Sequence, residues 1–326
     1  MNARRALIFG VSGQDGVYLS KLLLAKGYEV HGTSRDVDSA HFGGLQRLGI
    51  LDKIQVHSSN LTDYRSVIET LRAVCPDEIY NLSAQSSVGL SFEQPIETLS
   101  SIGNATLNLL EAIRFLGGEM RLYSASTSEM FGDTGGKPAD ELTAFRPHSP
   151  YGVSKAAAHW FVEGYRRGYG LYACSGICFN HESPLRNMRF VTQKIVRAVV
   201  DIKQGAAKRL KLGNISIVRD WGWAPEYVEA IWRMLQQPAP EDFVIATGKP
   251  ASLENFTHDA FACLGLNWRD HVDIDDTLQR PYELAYSVGS AAKAERELKW
   301  KASLTMPDIV GRLVEGELER RKTATA

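Results

Sequence analysis

Tyr151 and Lys155 stand four residues apart, and Ser126-Thr127-Ser128-Glu129 lies upstream of them. On a helix that spacing puts phenol and ammonium on one face, where the cation lowers the phenol pKa and makes tyrosine a usable base near neutral pH. Glu129 adds a second proton carrier, and Thr127 a hydroxyl beside it. An enzyme that only moves a hydride has little need for two bases. One that oxidises, eliminates water and reduces again needs both. The bland alternatives are a surface pair at 151 and 155 and a glutamate that merely favours a helix start.

Such residues must be positioned by something, and the chain start supplies a frame. Ala6-Leu7-Ile8-Phe9 is a continuous apolar run, the mark of a strand buried on both faces. Gly10-Val11-Ser12-Gly13-Gln14-Asp15-Gly16 follows it and opens a helical pattern of Val17, Leu19, Leu22, Leu23 and Leu24. Strand, glycine turn and helix form the context of a dinucleotide fingerprint, with Gly10, Gly13 and Gly16 letting the backbone approach a pyrophosphate at the helix N-terminus.

The alternation continues with strands expected at 28–32, 53–56, 78–82, 122–126 and 174–179 and helices at 64–74 and 104–116. The helix of Tyr151 and Lys155 begins after Pro147-His148-Ser149-Pro150. The fold class is therefore α/β, a Rossmann-type doubly wound parallel sheet with a smaller, interleaved α/β substrate-binding lobe. The cofactor domain is expected over 1–180 with a return near 215–247, where 241–246 reads as a strand. The substrate lobe is expected mainly over 181–326, with helices near 189–204, 225–237 and 252–264, and with a charged helix end and small polar tail from 317 to 326 that are expected to fray. The strand ending at Ser126 delivers Thr127 and Glu129 to the carboxyl edge of the sheet, where such folds bind ligands.

Composition excludes other classes. The chain has 326 residues, 44% hydrophobic, and a formal net charge of -1, enough for a large core and without the basic excess that draws polyanions. No nucleic acid and no membrane partner is expected; a small molecule is. Residues 1–5 lead into an apolar run too short for a signal peptide or a span, which predicts a cytoplasmic protein. Cys75, Cys174, Cys178 and Cys263 are too few and too scattered for a disulfide framework and read as buried thiols, and no zinc-type spacing follows them, so no metal is expected.

Glycine loop, Ser-Thr-Ser-Glu and Tyr-x-x-x-Lys, in this order, resemble the extended short-chain dehydrogenase/reductase superfamily. Leu82-Ser83-Ala84-Gln85-Ser86, Phe179-Asn180-His181-Glu182-Ser183-Pro184, Phe190-Val191-Thr192, Leu212-Gly213-Asn214, Arg219-Asp220-Trp221-Gly222 and Arg280-Pro281-x-Glu283 are similar to the GDP-mannose 4,6-dehydratases. The similarity runs from about residue 4 to 312.

The resemblance implies a nucleotide-sugar lyase of deoxysugar biosynthesis. It converts GDP-mannose to GDP-4-keto-6-deoxy-mannose by oxidation at C4, loss of water across C5 and C6, and hydride return to C6. It implies Thr127, Glu129, Tyr151 and Lys155 as catalytic residues. Contacts to NADP are implied for Gly10, Gly13, Gln14, Asp15, Gly16, Arg35, Asn60, Leu61, Leu82, Ala84, Ser86, Tyr151, Lys155 and His181. The GDP-sugar falls to Ser86, Asn180, Val191, Lys194, Leu212, Gly213, Asn214, Arg219, Arg280 and Glu283. Arg219 and Arg280 can each offer a planar fork to diphosphate oxygens and Lys194 a point charge. The structural alternative pairs Arg219 with Glu226 or Asp220, and Arg280 with Glu283. Trp221 is expected to pack the substrate lobe or to wall the site.

Three positions depart from the family. Asp36 stands where a second arginine usually grips the 2′-phosphate of NADP beside Arg35, so NAD stays open as the cofactor. Asn60 replaces an aspartate near the adenine, and Gln193 an arginine beside Lys194. In the family the loop after the second strand reaches a neighbouring subunit, and the expected assembly is a homodimer, through helices near 104–116 and 152–168, or a homotetramer. Rival readings are a GDP-heptose (D-glycero-D-manno-heptose) 4,6-dehydratase and a 4-keto nucleotide-sugar reductase or epimerase, which would not need Glu129. A nucleotide-sensing protein without turnover would carry a degraded site.

Overall fold

The computed structural model describes residues 3–278 and 281–325. Six strands alternate with helices along the first half: β1 Arg5–Phe9, β2 Glu29–Ser34, β3 Gln55–Ser58, β4 Glu78–Asn81, β5 Arg121–Thr127 and β6 Ala173–Cys178. The second half adds β7 Asn180–Glu182, β8 Leu210–Leu212, β9 Val218–Trp223, β10 Phe243–Ile245, β11 Pro250–Ser252, β12 Val272–Ile274 and β13 Tyr286–Ser287. The main sheet has seven strands in the order β10-β6-β5-β4-β1-β2-β3, and every pairing in it is parallel.

Alternation along β1 shows why both faces are covered. Ala6 and Ile8 pack with Val17 and Leu23 of the helix Gln14–Ala25 and with Tyr227, Ile231 and Met234 of the helix Ala224–Leu235. Leu7 and Phe9 point the other way, onto Val67 and Leu71 of the helix Tyr64–Val74, Leu109 and Ile113 of Ala105–Leu116, and Val162 of Pro150–Tyr169. All four β1 side chains are fully buried, as a two-sided parallel sheet requires. Each such burial contributes about 1.5–3 kcal/mol for the larger side chains.

Strands β2 and β3 start one and two residues later than expected. Tyr28 precedes β2; its hydroxyl donates to Glu78 at 3.1 Å and accepts from the indole N–H of Trp232 at 3.1 Å. Leu51–Lys53 forms a short 3-10 turn before β3. The helix Met306–Thr325 runs on through the segment expected to fray. Glu317, buried on it, binds Arg320 and Arg321, and Arg321 reaches Asp201 at 2.7 Å.

A second core lies beside the sheet. Ile195, Val196 and Val199 of the helix Val191–Lys203, Phe256 and Phe261 of Leu253–Ala262, and Ile309 and Leu313 of the last helix close on Trp221. Here β9 is the centre: β11 pairs with it antiparallel, β13 and β7 parallel, while β12 and β8 form a separate parallel pair. Phe179 alone separates β6 from β7, so the backbone passes directly from the main sheet into this second assembly. Among the described residues no helix is long and apolar enough to cross a membrane, and no cluster of three or more His, Cys, Asp or Glu side chains is placed to hold a metal ion.

The cysteines are not all buried. Cys174 is enclosed and Cys178 half-buried, but Cys75 and Cys263 are exposed. Cys75 ends the helix Tyr64–Val74 in the left-handed region, at a φ of 46°, on the surface rather than under it.

Candidate active site

The carboxyl ends of β1, β4, β5 and β6 open into one cleft, and most of the residues singled out from sequence line it. They are Gly10, Gly13, Gln14, Asp15 and Gly16, then Leu82, Ala84 and Ser86, then Thr127, Glu129, Tyr151 and Lys155, and on the far side Asn180, His181, Val191, Arg219 and Glu283. The glycine loop is a cradle that side chains would fill. Gly10 has a φ of +86° with the β4 end 3.0 Å from where a Cβ would sit, and a Cβ on Gly16 would lie 2.3 Å from the Gly10 carbonyl. The helix Gln14–Ala25 begins at Gly13 with no side-chain cap on its first amides. Those features fit the phosphates of a dinucleotide.

Each reactive side chain has a local reason to be where it is. Thr127 ends β5 and its hydroxyl accepts the Glu129 amide at 3.3 Å, turning the chain so that Glu129 enters the cleft. Ser149 caps the helix Pro150–Tyr169 by accepting from the Gly152 amide at 3.0 Å, with Pro150 at its first position. Gly152 lets that helix approach closely: a Cβ there would meet the Glu129 carbonyl at 2.9 Å. The helix thus sets Tyr151 and Lys155 against the end of β5.

The electrostatics reverse one expectation. Burial pushes the Tyr151 phenol up to about 12; the Thr127 hydrogen bond pulls it back, Glu129 pushes it further and Arg186 pulls it down. Lys155 turns to another acceptor. Its ammonium donates to the Ala125 carbonyl at 2.7 Å, and burial lowers the lysine to about 8. Sharing a helix face did not make an ion pair, because the β5 carbonyl offers the buried amine an uncharged acceptor. The protein alone therefore holds Tyr151 as a neutral phenol.

Asp15 and His181 meet in the same cleft, with Nε2 2.9 Å from the carboxylate. Arg219 is buried and donates to Glu283 at 3.1 Å and to the Val218 carbonyl at 2.9 Å. The rival partners are otherwise engaged: Asp220 accepts from Thr247 and Gly248, and Glu226 from Ser303. Trp221 both packs on Phe256 and lines the cleft.

Other expected residues stand apart from this wall. Lys194 is exposed and donates to the Lys211 carbonyl at 2.6 Å. Leu212 is buried, Gly213 packs against Leu278, and Asn214 closes a turn by accepting from Ser216. Arg35 is exposed just past β2, one strand over from the glycine loop. The Asn60 carboxamide oxygen accepts from Thr62, and Leu61 is buried with its carbonyl held by Asn108. Arg280 lies outside the described residues. Gln193 is buried and donates to the Ser183 carbonyl at 2.9 Å, a structural use of the position.

Sequence reading missed Arg186, Arg189 and Glu182, which also line the cleft. Arg186 stacks over Phe190 at 3.7 Å and sits 3.6 Å from Glu182. Glu182 belongs to the Asn-His-Glu-Ser-Pro run itself, and the signal for the two arginines was their place between that run and the helix Val191–Lys203, a basic loop next to a binding motif.

Comparison with known proteins agrees with this geometry. The GDP-mannose 4,6 dehydratase family model matches residues 7–313. GDP-mannose 4,6 dehydratase 1 of Arabidopsis thaliana is 45% identical over 97% of this chain and 90% of its own length. The human GDP-mannose 4,6 dehydratase is 40% identical over 98% of this chain and 92% of its own. Among solved structures, dTDP-glucose 4,6-dehydratase from Bacillus anthracis in complex with NAD superposes with a TM-score of 0.85 at 19% identity, covering 98% of each chain, which is a likeness of fold.

Proposed function

The chain belongs to the GDP-mannose 4,6-dehydratase family, and from that premise we propose that it converts GDP-mannose to GDP-4-keto-6-deoxy-mannose as a hydro-lyase. The observation that carries this reading is the convergence of Thr127, Glu129, Tyr151 and Lys155 with the glycine cradle in one cleft. A nicotinamide dinucleotide is the cofactor, with its phosphates on Gly10, Gly13 and Gly16. NADP is the form we favour, because Arg35 is exposed beyond β2 for a 2′-phosphate. The Asp36 carboxylate is turned into its own loop, accepting from the Asp38 amide at 3.0 Å and the Ser39 hydroxyl at 2.7 Å.

When bound in this cleft, an oxidised nicotinamide would supply a positive charge beside the phenol and a store for the hydride that leaves C4 and comes back at C6. Tyr151 takes the proton of the 4-hydroxyl, and Thr127 holds the oxygen on C4. The resulting ketone acidifies the C5 proton; Glu129 removes it and protonates the departing 6-hydroxyl, so that water leaves. Tyr151 then returns a proton to C5. Lys155 supports the nicotinamide ribose. Arg219, Glu283, Asn180 and Val191 bind the GDP-sugar, with Ser86 shared between the two ligands.

We read 1–180 with the return at 215–247 as the cofactor domain and the rest of 181–326 as the substrate lobe, in a cytoplasmic enzyme. A homodimer is the proposed assembly. It is supported by apolar side chains exposed along the helices near 95–116 and 150–169, among them Ile96 at 84%, Phe115 at 61% and Trp160 at 56%.

Glu129→Gln tests the assignment. The variant is expected to oxidise C4 and accumulate reduced cofactor while water loss falls about a hundredfold or more. A variant that dehydrates at the wild-type rate would remove Glu129 from the mechanism.

A further inference from the structure

The glycine loop carries a carboxylate where a dinucleotide would bring a pyrophosphate. Asp15 sits in the first turn of the helix Gln14–Ala25 and lines the cleft with the three glycines. Left bare, it would repel the ligand whose phosphates the same turn attracts. His181 stands against it. Its Nε2 lies 2.9 and 3.1 Å from the two Asp15 oxygens, and its Nδ1 lies 2.8 Å from the Phe179 carbonyl oxygen.

Both ring nitrogens therefore face acceptors. A neutral imidazole has one N–H and would aim a lone pair at an oxygen, whereas the imidazolium satisfies both contacts. Burial works against charge on the ring, but Asp15, through its charge and its hydrogen bond, outweighs burial and holds His181 above its ordinary value. For Asp15 burial likewise raises the carboxyl, and His181 brings it below the usual range. Arg186 opposes the ring charge and Glu182 favours it, while Tyr227 stacks on the ring at 4.6 Å. The flanking residues tie the same two segments: Gln14 donates to the His181 carbonyl at 3.2 Å and accepts from Ser183 at 2.7 Å.

We propose that His181 is a positioning residue for cofactor binding: as an imidazolium it cancels the Asp15 charge and pins the glycine loop, so that the loop admits an anionic dinucleotide. This rests on the reading that the loop binds a nicotinamide dinucleotide. It also gives the Asn180–Glu182 strand a task beyond substrate contact, since the residue next to Asn180 sets the charge of the cofactor loop.

The test is the NADPH dissociation constant, followed by nucleotide fluorescence from pH 6 to 9, for the wild type, His181→Gln, Asp15→Asn and the double variant. His181→Gln is expected to bind about tenfold more weakly at pH 7.5. Adding Asp15→Asn is expected to restore most of that loss. Wild-type affinity should fall as pH rises past the raised histidine value, and Asp15→Asn alone should remove that dependence even if His181→Gln fails to fold. A double variant as weak as His181→Gln, or the same pH dependence in Asp15→Asn as in the wild type, would overturn the proposal. Failure of the wild type to bind either NADPH or NADH at any pH would instead bring down the dinucleotide reading beneath it.

Discussion

Glu78, on the main sheet, and Lys155, on a helix packed against it, are both buried charges, and they are treated in opposite ways. Glu78 begins β4, at the amino edge, and is fully enclosed. Its carboxylate accepts from Arg4 at 3.2 Å, Tyr28 at 3.1 Å, Gln236 at 3.1 Å and Tyr80 at 2.6 Å. Lys155 lies at the carboxyl edge, against the end of β5, where it donates to the uncharged Ala125 carbonyl and burial drags its pKa down to about 8. One edge surrounds a charge with donors and gains cohesion. The other holds a charge under-compensated, facing a cleft beside a phenol that burial has pushed to about 12. The difference separates a group that stabilises the fold from one that the fold tolerates for chemistry.

That contrast can be tested from both ends. The largest effect belongs to Lys155→Met, which should reduce turnover roughly a thousandfold through loss of cofactor positioning and proton transfer, measured as product formed per folded molecule. Glu78→Ala should leave turnover per folded molecule within about threefold of wild type. It should cost about 3–5 kcal/mol of stability in denaturant unfolding, since it strands four donors around one site. The smallest effect has the opposite sign. Lys155→Met should stabilise the protein by about 1–2 kcal/mol near neutral pH, after allowing for the carbonyl it leaves without a donor.

The pH dependence follows with the sign worked out. The folded-state lysine, at about 8, lies below its ordinary 10.5. Between those values the unfolded chain binds more protons, so the contribution of Lys155 to stability rises with pH across that window. In Lys155→Met that rise should vanish. A Lys155→Met protein less stable than wild type would mean the amine is a structural donor like those around Glu78, and the contrast would collapse.

Much of this was legible in the sequence, and the exceptions have physical causes. The run Ala6–Phe9 and the glycine loop indicated a two-sided parallel strand and a helix start because burial on both faces forbids polar alternation. Glu129, Tyr151 and Lys155 reach one cleft because Thr127, Ser149 and Gly152 turn and admit the chain locally, by short-range hydrogen bonds and a missing Cβ. The relation between Tyr151 and Lys155 was not legible. Helical spacing fixes which face two side chains share, but the acceptor that captured the amine, the Ala125 carbonyl, lies on another element. Arg186 escaped notice for a similar reason, since its place in the cleft depends on how the loop after Pro184 folds back toward Phe190. Lys194 and Asn214 show the converse: their types suited a ligand, yet the backbone partners nearest them, Lys211 and Ser216, take the hydrogen bonds.

The most direct test of the central claim, that the carboxyl edge performs an internal oxidation, elimination and reduction, is to incubate the protein and NADP with GDP-mannose deuterated at C4. Mass spectrometry then follows the sugar nucleotide. The account predicts a product lighter by one water that keeps the deuterium, now on C6, with no net accumulation of reduced cofactor. A product that has lost the label, or an oxidised sugar formed with stoichiometric NADPH and no loss of water, would contradict it.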